Sequence, residues 1–189
     1  MARWFWKLLL KLFGWDTRVR FPEGVRKCVV IIAPHTSWID LFVGIAYRSV
    51  IRLHPSRFLG KKELFKGPVG WFLRTMGGIP VDRSSATNVV DQVVAILDQH
   101  DELMIAIAPE GTRERVDRLR SGFYQIAKKA GIPIIMAGLD FKKRTLVVSA
   151  PFHTTADPAA DFRHILAFFR PIQGRHPEKG LGHLFEQPA

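Results

Sequence analysis

The sequence predicts an α/β fold: a single domain whose mixed, mostly parallel sheet is flanked by helices, preceded by an N-terminal amphipathic interfacial helix. Three observations predict it. Short unbroken apolar runs rich in β-branched residues, such as 28–33 and 103–108, read as strands buried on both faces. They alternate with longer segments of helical period, the order expected of a sheet covered by helices. A chain of 189 residues can also enclose a core without staples.

Taken in order, residues 1–15 form the interfacial helix, 25–170 the main domain and 171–189 an irregular tail. In the first thirteen residues Arg3, Lys7 and Lys11 recur at four-residue spacing, and Trp4, Phe5, Leu8, Leu9, Leu12 and Phe13 fill much of the rest. That composition suits a helix lying in a bilayer interface, amines on anionic lipid. It is too short to span. Gly14, Trp15, Asp16 and Thr17 follow and offer no small-residue cleavage site, which argues against a secretory signal. The competing reading docks this helix on the protein's own core.

A polar connector with Pro22 and Gly24 leads to the strand Cys28-Val-Val-Ile-Ile-Ala33, which Pro34 stops. Thr36 or Ser37 can cap the next helix, which carries Trp38, Ile39, Leu41, Phe42 and Ile45 on its apolar side and runs to about Arg52. A short strand over 57–62 precedes a helix over 63–76 that is interrupted near Gly67 and Pro68. Gly77 to Arg83 reads as turn, strand and polar exit. Ser84 and Ser85 then open a helix with Val89, Val90, Val93, Ile96 and Leu97 on one side. After the strand over 103–108, Pro109-Glu-Gly-Thr-Arg113 turns the chain, a charged loop runs to Arg120, and 123–130 is helical up to the stop at Gly131. Strands over 133–141 and 145–152 flank the basic turn Lys142-Lys-Arg144, and Asp157-Pro158 opens a last helix to about Phe169. No window approaches eighteen unbroken apolar residues, so no transmembrane helix is expected.

Charge is placed unevenly. Residues 1–75 hold 14 Lys plus Arg against 4 acids, whereas 76–189 hold 14 against 13, so the net +11 sits almost wholly in the first part. That part should attract a polyanion. An aromatic-rich amphipathic helix fits an anionic membrane surface better than base stacking, and no nucleic-acid motif is present, so nucleic acid is not expected as a partner. The one cysteine, Cys28, excludes an internal disulfide and reads as a small buried apolar residue. The seven histidines, His153, His164, His176 and His183 among them, show no pair at metal-site spacing on one helix, so no metal is expected.

The chemistry concentrates in His35-Thr-Ser-Trp-Ile-Asp40, where a strand gives way to a helix. His35 falls in the turn and Asp40 about one turn inside the helix, close enough for the carboxylate to fix the imidazole tautomer and stabilise the imidazolium, as a general base requires. No protein nucleophile is needed if the substrate brings a hydroxyl. The plain alternative is a helix-capping histidine beside a solvated Asp40. Arg83 and Arg113, each in a turn after a buried strand, suit bidentate capture of a phosphate; otherwise they are surface partners of Asp82 and Glu114. Since sites in such sheets form where loops converge at strand ends, His35, Arg83 and Glu110 could share one rim.

Four ordered blocks resemble the glycerolipid acyltransferases, typified by 1-acylglycerol-3-phosphate acyltransferase. The first, His-x-x-x-x-Asp, matches His35 to Asp40. The second matches Gly77-Gly-Ile-Pro-Val-Asp-Arg83, the third Pro109-Glu-Gly-Thr-Arg113 and the fourth Ile132-Pro-Ile-Ile135, with a lysine segment in Gly60-Lys-Lys-Glu-Leu-Phe65. Order and spacing agree over about residues 28–140. Ala108, Glu114 and Met136 depart from the common pattern at positions around the pocket.

The resemblance implies transfer of an acyl group from a thioester, acyl-CoA or acyl carrier protein, to the free hydroxyl of a lysophospholipid, 1-acyl-sn-glycerol-3-phosphate above all. His35 would take the hydroxyl proton and Asp40 would orient it. Arg83 with Glu110, Gly111, Thr112 and Arg113 would seat the glycerol phosphate, and Lys61 or Lys62 would add charge. A backbone N–H would hold the oxyanion. No cofactor or metal is implied, the thioester being a co-substrate. The resemblance further implies membrane association, peripheral or monotopic, on the cytoplasmic face. Two alternatives keep the fold: an acyltransferase for another lysolipid, such as an amino-acid lipid, and a non-catalytic lipid-binding protein.

Overall fold

A computed structural model describes residues 3–82 and 86–185. Six strands form one sheet: β1 (Lys27–Ile32), β2 (Ser56–Lys61), β3 (Gly78–Val81), β4 (Leu103–Ile107), β5 (Ile134–Asp140) and β6 (Thr145–Val148). Their spatial order is β3-β2-β4-β1-β5-β6, every pairing parallel except β5 with β6. The apolar runs are the central strands: Cys28, Val29, Ile31 and Ile105 are fully buried, as a sheet covered on both faces demands. Burial pushes the Cys28 thiol up to about 12, so it behaves as a small hydrophobe.

The helices are α1 (Arg3–Leu12), α2 (Ile39–Val50), α3 (Gly67–Thr75), α4 (Ala86–Asp98), α5 (Gly122–Ala130) and α6 (Pro158–Phe169). Val29, Ile31 and Ile105 pack with Val93 and Leu97 of α4, Phe123 of α5 and Ile165 of α6 on one face. Cys28, Val30, Met104 and Ile135 pack with Leu10 of α1 and Ala46 and Tyr47 of α2 on the other. The chain thus leaves β1 toward one face and β4 toward the opposite face, although these strands are neighbours, with Ile31 beside Ile107. Loops that part in this way open a crevice at the carboxyl ends of the strands.

Several elements differ from expectation. The helix after His35 starts at Ile39, so Asp40 lies in its first turn rather than a turn inside, and Ser37 Oγ accepts the Ile39 N–H at 3.2 Å. Its predicted apolar side is only partly covered: Ile45 is buried, whereas Trp38, Leu41 and Phe42 are exposed. The interrupted helix begins as a 3-10 turn, Lys62–Phe65, whose Phe65 ring lies against Gly60 and Gly78. A Cβ on Gly78 would come within 2.8 Å of that ring, which accounts for a glycine there.

The tail is not wholly irregular. Ile172 and Leu181 are buried in the core, 3-10 turns cover Pro177–Lys179 and Gly182–Phe185, and the His176 N–H donates to Thr36 Oγ1 at 3.1 Å. Pro, Gly and His composition hides this because isolated apolar residues carry no period.

α1 is held to the body on one side. Leu10 and the following Trp15 are buried, Arg3 Nε donates to Val50 O at 2.8 Å and the Tyr47 hydroxyl donates to Asp16 O at 2.6 Å. Its Trp4, Phe5, Leu8 and Leu12, with the adjoining Phe13, are exposed. Among the described residues no helix is long and apolar enough to cross a membrane.

Candidate active site

His35 stands three residues past the end of β1, and Pro109-Glu110-Gly111-Thr112-Arg113 begins two residues past the end of β4. Because β1 and β4 are adjacent and parallel, both turns emerge on one rim. The link between them is direct: the His35 N–H donates to Glu110 Oε1 at 2.8 Å across 75 residues of sequence.

Asp40 organises the loop ahead of α2. Its Oδ2 accepts from the backbone N–H groups of Thr36 at 2.8 Å and Ser37 at 2.9 Å, and lies 3.1 Å from His35 Nδ1. A carboxylate in the first turn of a helix is favoured by the exposed N–H groups and the dipole there. Its side chain is 2% exposed and that of His35 20%. The contact assigns the proton to Nδ1, which leaves the Nε2 lone pair as an acceptor. The two side chains meet, as the spacing of the six-residue motif predicts.

Glu110 is not where the phosphate-seating role would place it. It is buried, it lies outside the lining of the adjacent cleft, and it serves as a strut under the His35 backbone. Burial pushes its carboxyl above the ordinary 4.5, an effect that the His35 N–H bond opposes and the Asp40 charge reinforces. Glu110 Oε2 and Asp40 Oδ1 are both buried with no hydrogen-bond partner among the described residues.

The cleft beside His35 has a volume of about 1340 Å³. Its lining takes in His35, Asp40, Gly111, Thr112 and Arg113 together with Lys61 from the end of β2, and Arg48, Arg57 and Glu114. Apolar side chains share that lining, among them Leu41 and Ile45 of α2, Phe58 of β2, and Leu64, Leu73 and Met76. Gly111 has φ +67, and a Cβ there would approach Arg120 Nε to 2.5 Å, so both its conformation and the space over it require glycine. Thr112 Oγ1 accepts the Glu114 N–H at 3.3 Å.

The two lysines part company. Lys61 lines the cleft 3.8 Å from Glu63 Oε2, whereas Lys62 begins the 3-10 turn and is outside the lining. Glu114 pairs with Lys179 at 2.8 Å rather than with Arg113. Arg83 lies outside the described residues.

Arg118 and Arg120 also line the cleft, a contribution not expected from the sequence. The available signal was the density of arginine in Arg113-Glu-Arg-Val-Asp-Arg-Leu-Arg120, which reads as a solvated loop until Leu119 is seen buried beneath it. The assembled site therefore has a buried carboxylate against a histidine, several cations and many apolar side chains. Such a site can deprotonate a hydroxyl on an anionic amphiphile.

Residues 16–139 match the family model described as Acyltransferase, well over half of the 189-residue chain. Comparison with curated proteins finds no match. The matched span takes in β1 to β4, nearly all of β5, the His35–Asp40 pair and the Glu110 to Arg113 turn, and on this ground the chain belongs to the glycerolipid acyltransferase family, whose chemistry is acyl transfer.

Proposed function

We propose that the protein moves a fatty acyl group from a thioester donor, acyl-CoA or acyl carrier protein, to the free hydroxyl of a lysophospholipid, with 1-acyl-sn-glycerol-3-phosphate as acceptor and phosphatidate as product. One observation carries the reading. The His35–Asp40 pair lines a cleft whose wall combines the cations Lys61, Arg113, Arg118 and Arg120, with Arg48 and Arg57, and a large set of apolar side chains. An anionic headgroup and a hydrocarbon chain are the two parts such a lining accommodates.

In this mechanism His35 Nε2 takes the proton of the acceptor hydroxyl as its oxygen attacks the thioester carbonyl carbon. Asp40 holds the ring and stabilises the imidazolium. Collapse of the tetrahedral intermediate breaks the carbon–sulfur bond, and the departing sulfur recovers the proton from His35. Arg113, Arg118 and Lys61 hold the phosphate, with Arg83 as a further candidate. Gly111 and Thr112 shape the turn that presents Arg113. Glu110 acts through His35, as a positioning residue.

The exposed aromatics Trp4, Phe5 and Phe13, with Trp38 and Phe42 near the site, support docking on a bilayer surface, from which both acceptor and product are exchanged. The deciding experiment incubates the protein with lysophosphatidate and acyl-CoA and analyses the lipid product by mass. A panel of lysolipids, including a neutral and an amino-acid lipid, tests the acceptor; absence of any acylated product would leave the non-catalytic lipid-binding alternative.

A further inference from the structure

We propose that the groove between α1 and α2 is a second lipid site, separate from the catalytic cleft, which holds one bilayer phospholipid with an anionic headgroup. The chain lies on the aromatic floor and the headgroup phosphate among Lys142, Arg144 and Arg175.

α2 divides the two spaces by its helical period. Leu41, Gly44, Ile45 and Arg48 face the catalytic cleft, whereas Ile39, Phe42, Val43 and Ala46 face the groove. The groove has a volume of about 1100 Å³, at or above the usual upper end for small-molecule sites, as a long hydrocarbon chain requires. Phe5, Trp6 and Leu9 of α1 close it from the far side, and no acidic side chain lines it.

All three charged groups along its edge are cations. The Lys142 and Arg175 side chains are exposed and make no hydrogen bond or ion pair among the described residues, while Arg144 Nη1 donates to Phe13 O at 3.1 Å beside the same opening. Charge complementarity thus selects an anion, and the adjoining apolar floor selects one attached to hydrocarbon. The exposed faces of Phe5, Leu12 and Phe42 bound the groove, so a bilayer rather than bulk water is the source of its occupant.

The inference shares with the proposed function only the bilayer as a lipid source, and it does not depend on the acceptor. Full-length protein in neutral detergent is incubated with equal amounts of phosphatidylglycerol and phosphatidylcholine of identical chains, and native mass spectrometry counts lipid retained per chain. One phosphatidylglycerol per chain is expected, with phosphatidylcholine at least tenfold lower. Lys142→Glu with Arg175→Glu, both at exposed positions, should abolish that preference. Val43→Trp should remove both lipids by filling the groove, with circular dichroism reporting the fold.

Equal retention of the two lipids, or unchanged phosphatidylglycerol in the charge-reversed protein, overturns the proposal. Acyl transfer measured on the same samples keeps the two readings apart. For the unmodified protein, equal retention of the two lipids with intact transfer sinks the groove alone, and selective lipid retention without any transfer sinks the catalytic reading alone.

Discussion

Replacing Glu110 with alanine removes the acceptor of the His35 N–H, a 2.8 Å bond made in a site where Glu110 is only 3% exposed. Leaving that donor buried and unsatisfied costs about 1–3 kcal/mol. Expressed wholly as lost positioning of the imidazole in the transition state, this amounts to a fall of roughly 5- to 150-fold in kcat. Glu110→Gln keeps an oxygen for the same N–H and places no charge in the dry site, so it should retain activity to within about threefold of wild type on the small net value of one exchanged neutral hydrogen bond.

The assay is steady-state acyl transfer in mixed micelles with the acceptor varied, so that kcat and KM separate. A strut under the base lowers kcat and leaves the acceptor KM nearly unchanged, whereas a ligand to the acceptor would show mainly in KM. If Glu110→Ala raises the acceptor KM at constant kcat and Glu110→Gln fails alike, then the carboxylate touches the substrate and the strut assignment is wrong.

The same residue sets a pH dependence of stability. A carboxyl whose pKa in the fold is raised contributes fully below its unfolded value, here 4.5, and loses that contribution as pH rises through the folded value. Wild-type stability relative to Glu110→Gln should therefore fall from about pH 4.5 upward, by at most about 1.4 kcal/mol per pH unit; a difference flat with pH in denaturant titrations counts against it. His35→Ala should abolish transfer while the protein stays folded and still sediments with anionic liposomes, and Asp40→Asn should cost about 10²–10⁴ in kcat, so full activity in either rejects the mechanism. Gly111→Ala forces a Cβ at φ +67 beneath Arg120 and should cost about 1–2 kcal/mol, a fall in Tm of roughly 2–8 °C by calorimetry. Arg113→Ala with Arg118→Ala should raise KM about tenfold for a phosphorylated acceptor and leave a neutral lysolipid unaffected, since only the former forms charge-assisted bonds with them.

Local patterning carried most of the elements and the meeting of His35 with Asp40. The unbroken runs at Cys28 to Ala33 and Leu103 to Ala108 read as buried strands because they are too short for a helix and are bounded by Pro34 and Pro109, and both lie in the sheet. The His35–Asp40 pair was legible for the same reason: five residues spanning a strand-to-helix turn bring two side chains together by local geometry alone.

Other features depended on contacts between residues far apart in the chain. Nothing near Glu110 in sequence indicates that its carboxyl group turns inward to His35 across 75 residues, and the family resemblance implied a role toward substrate instead. The tail segment that meets Thr36 from 140 residues away, the arginines brought to the cleft by buried Leu119, and the groove that α1 forms with α2 share this character. Hydrophobic period and capping chemistry operate within one or two turns of chain, so the sequence determined which elements form and which side chains meet within a turn of chain. The order of strands in the sheet decided which groups meet, because a buried polar atom takes its partner from whatever the packing delivers.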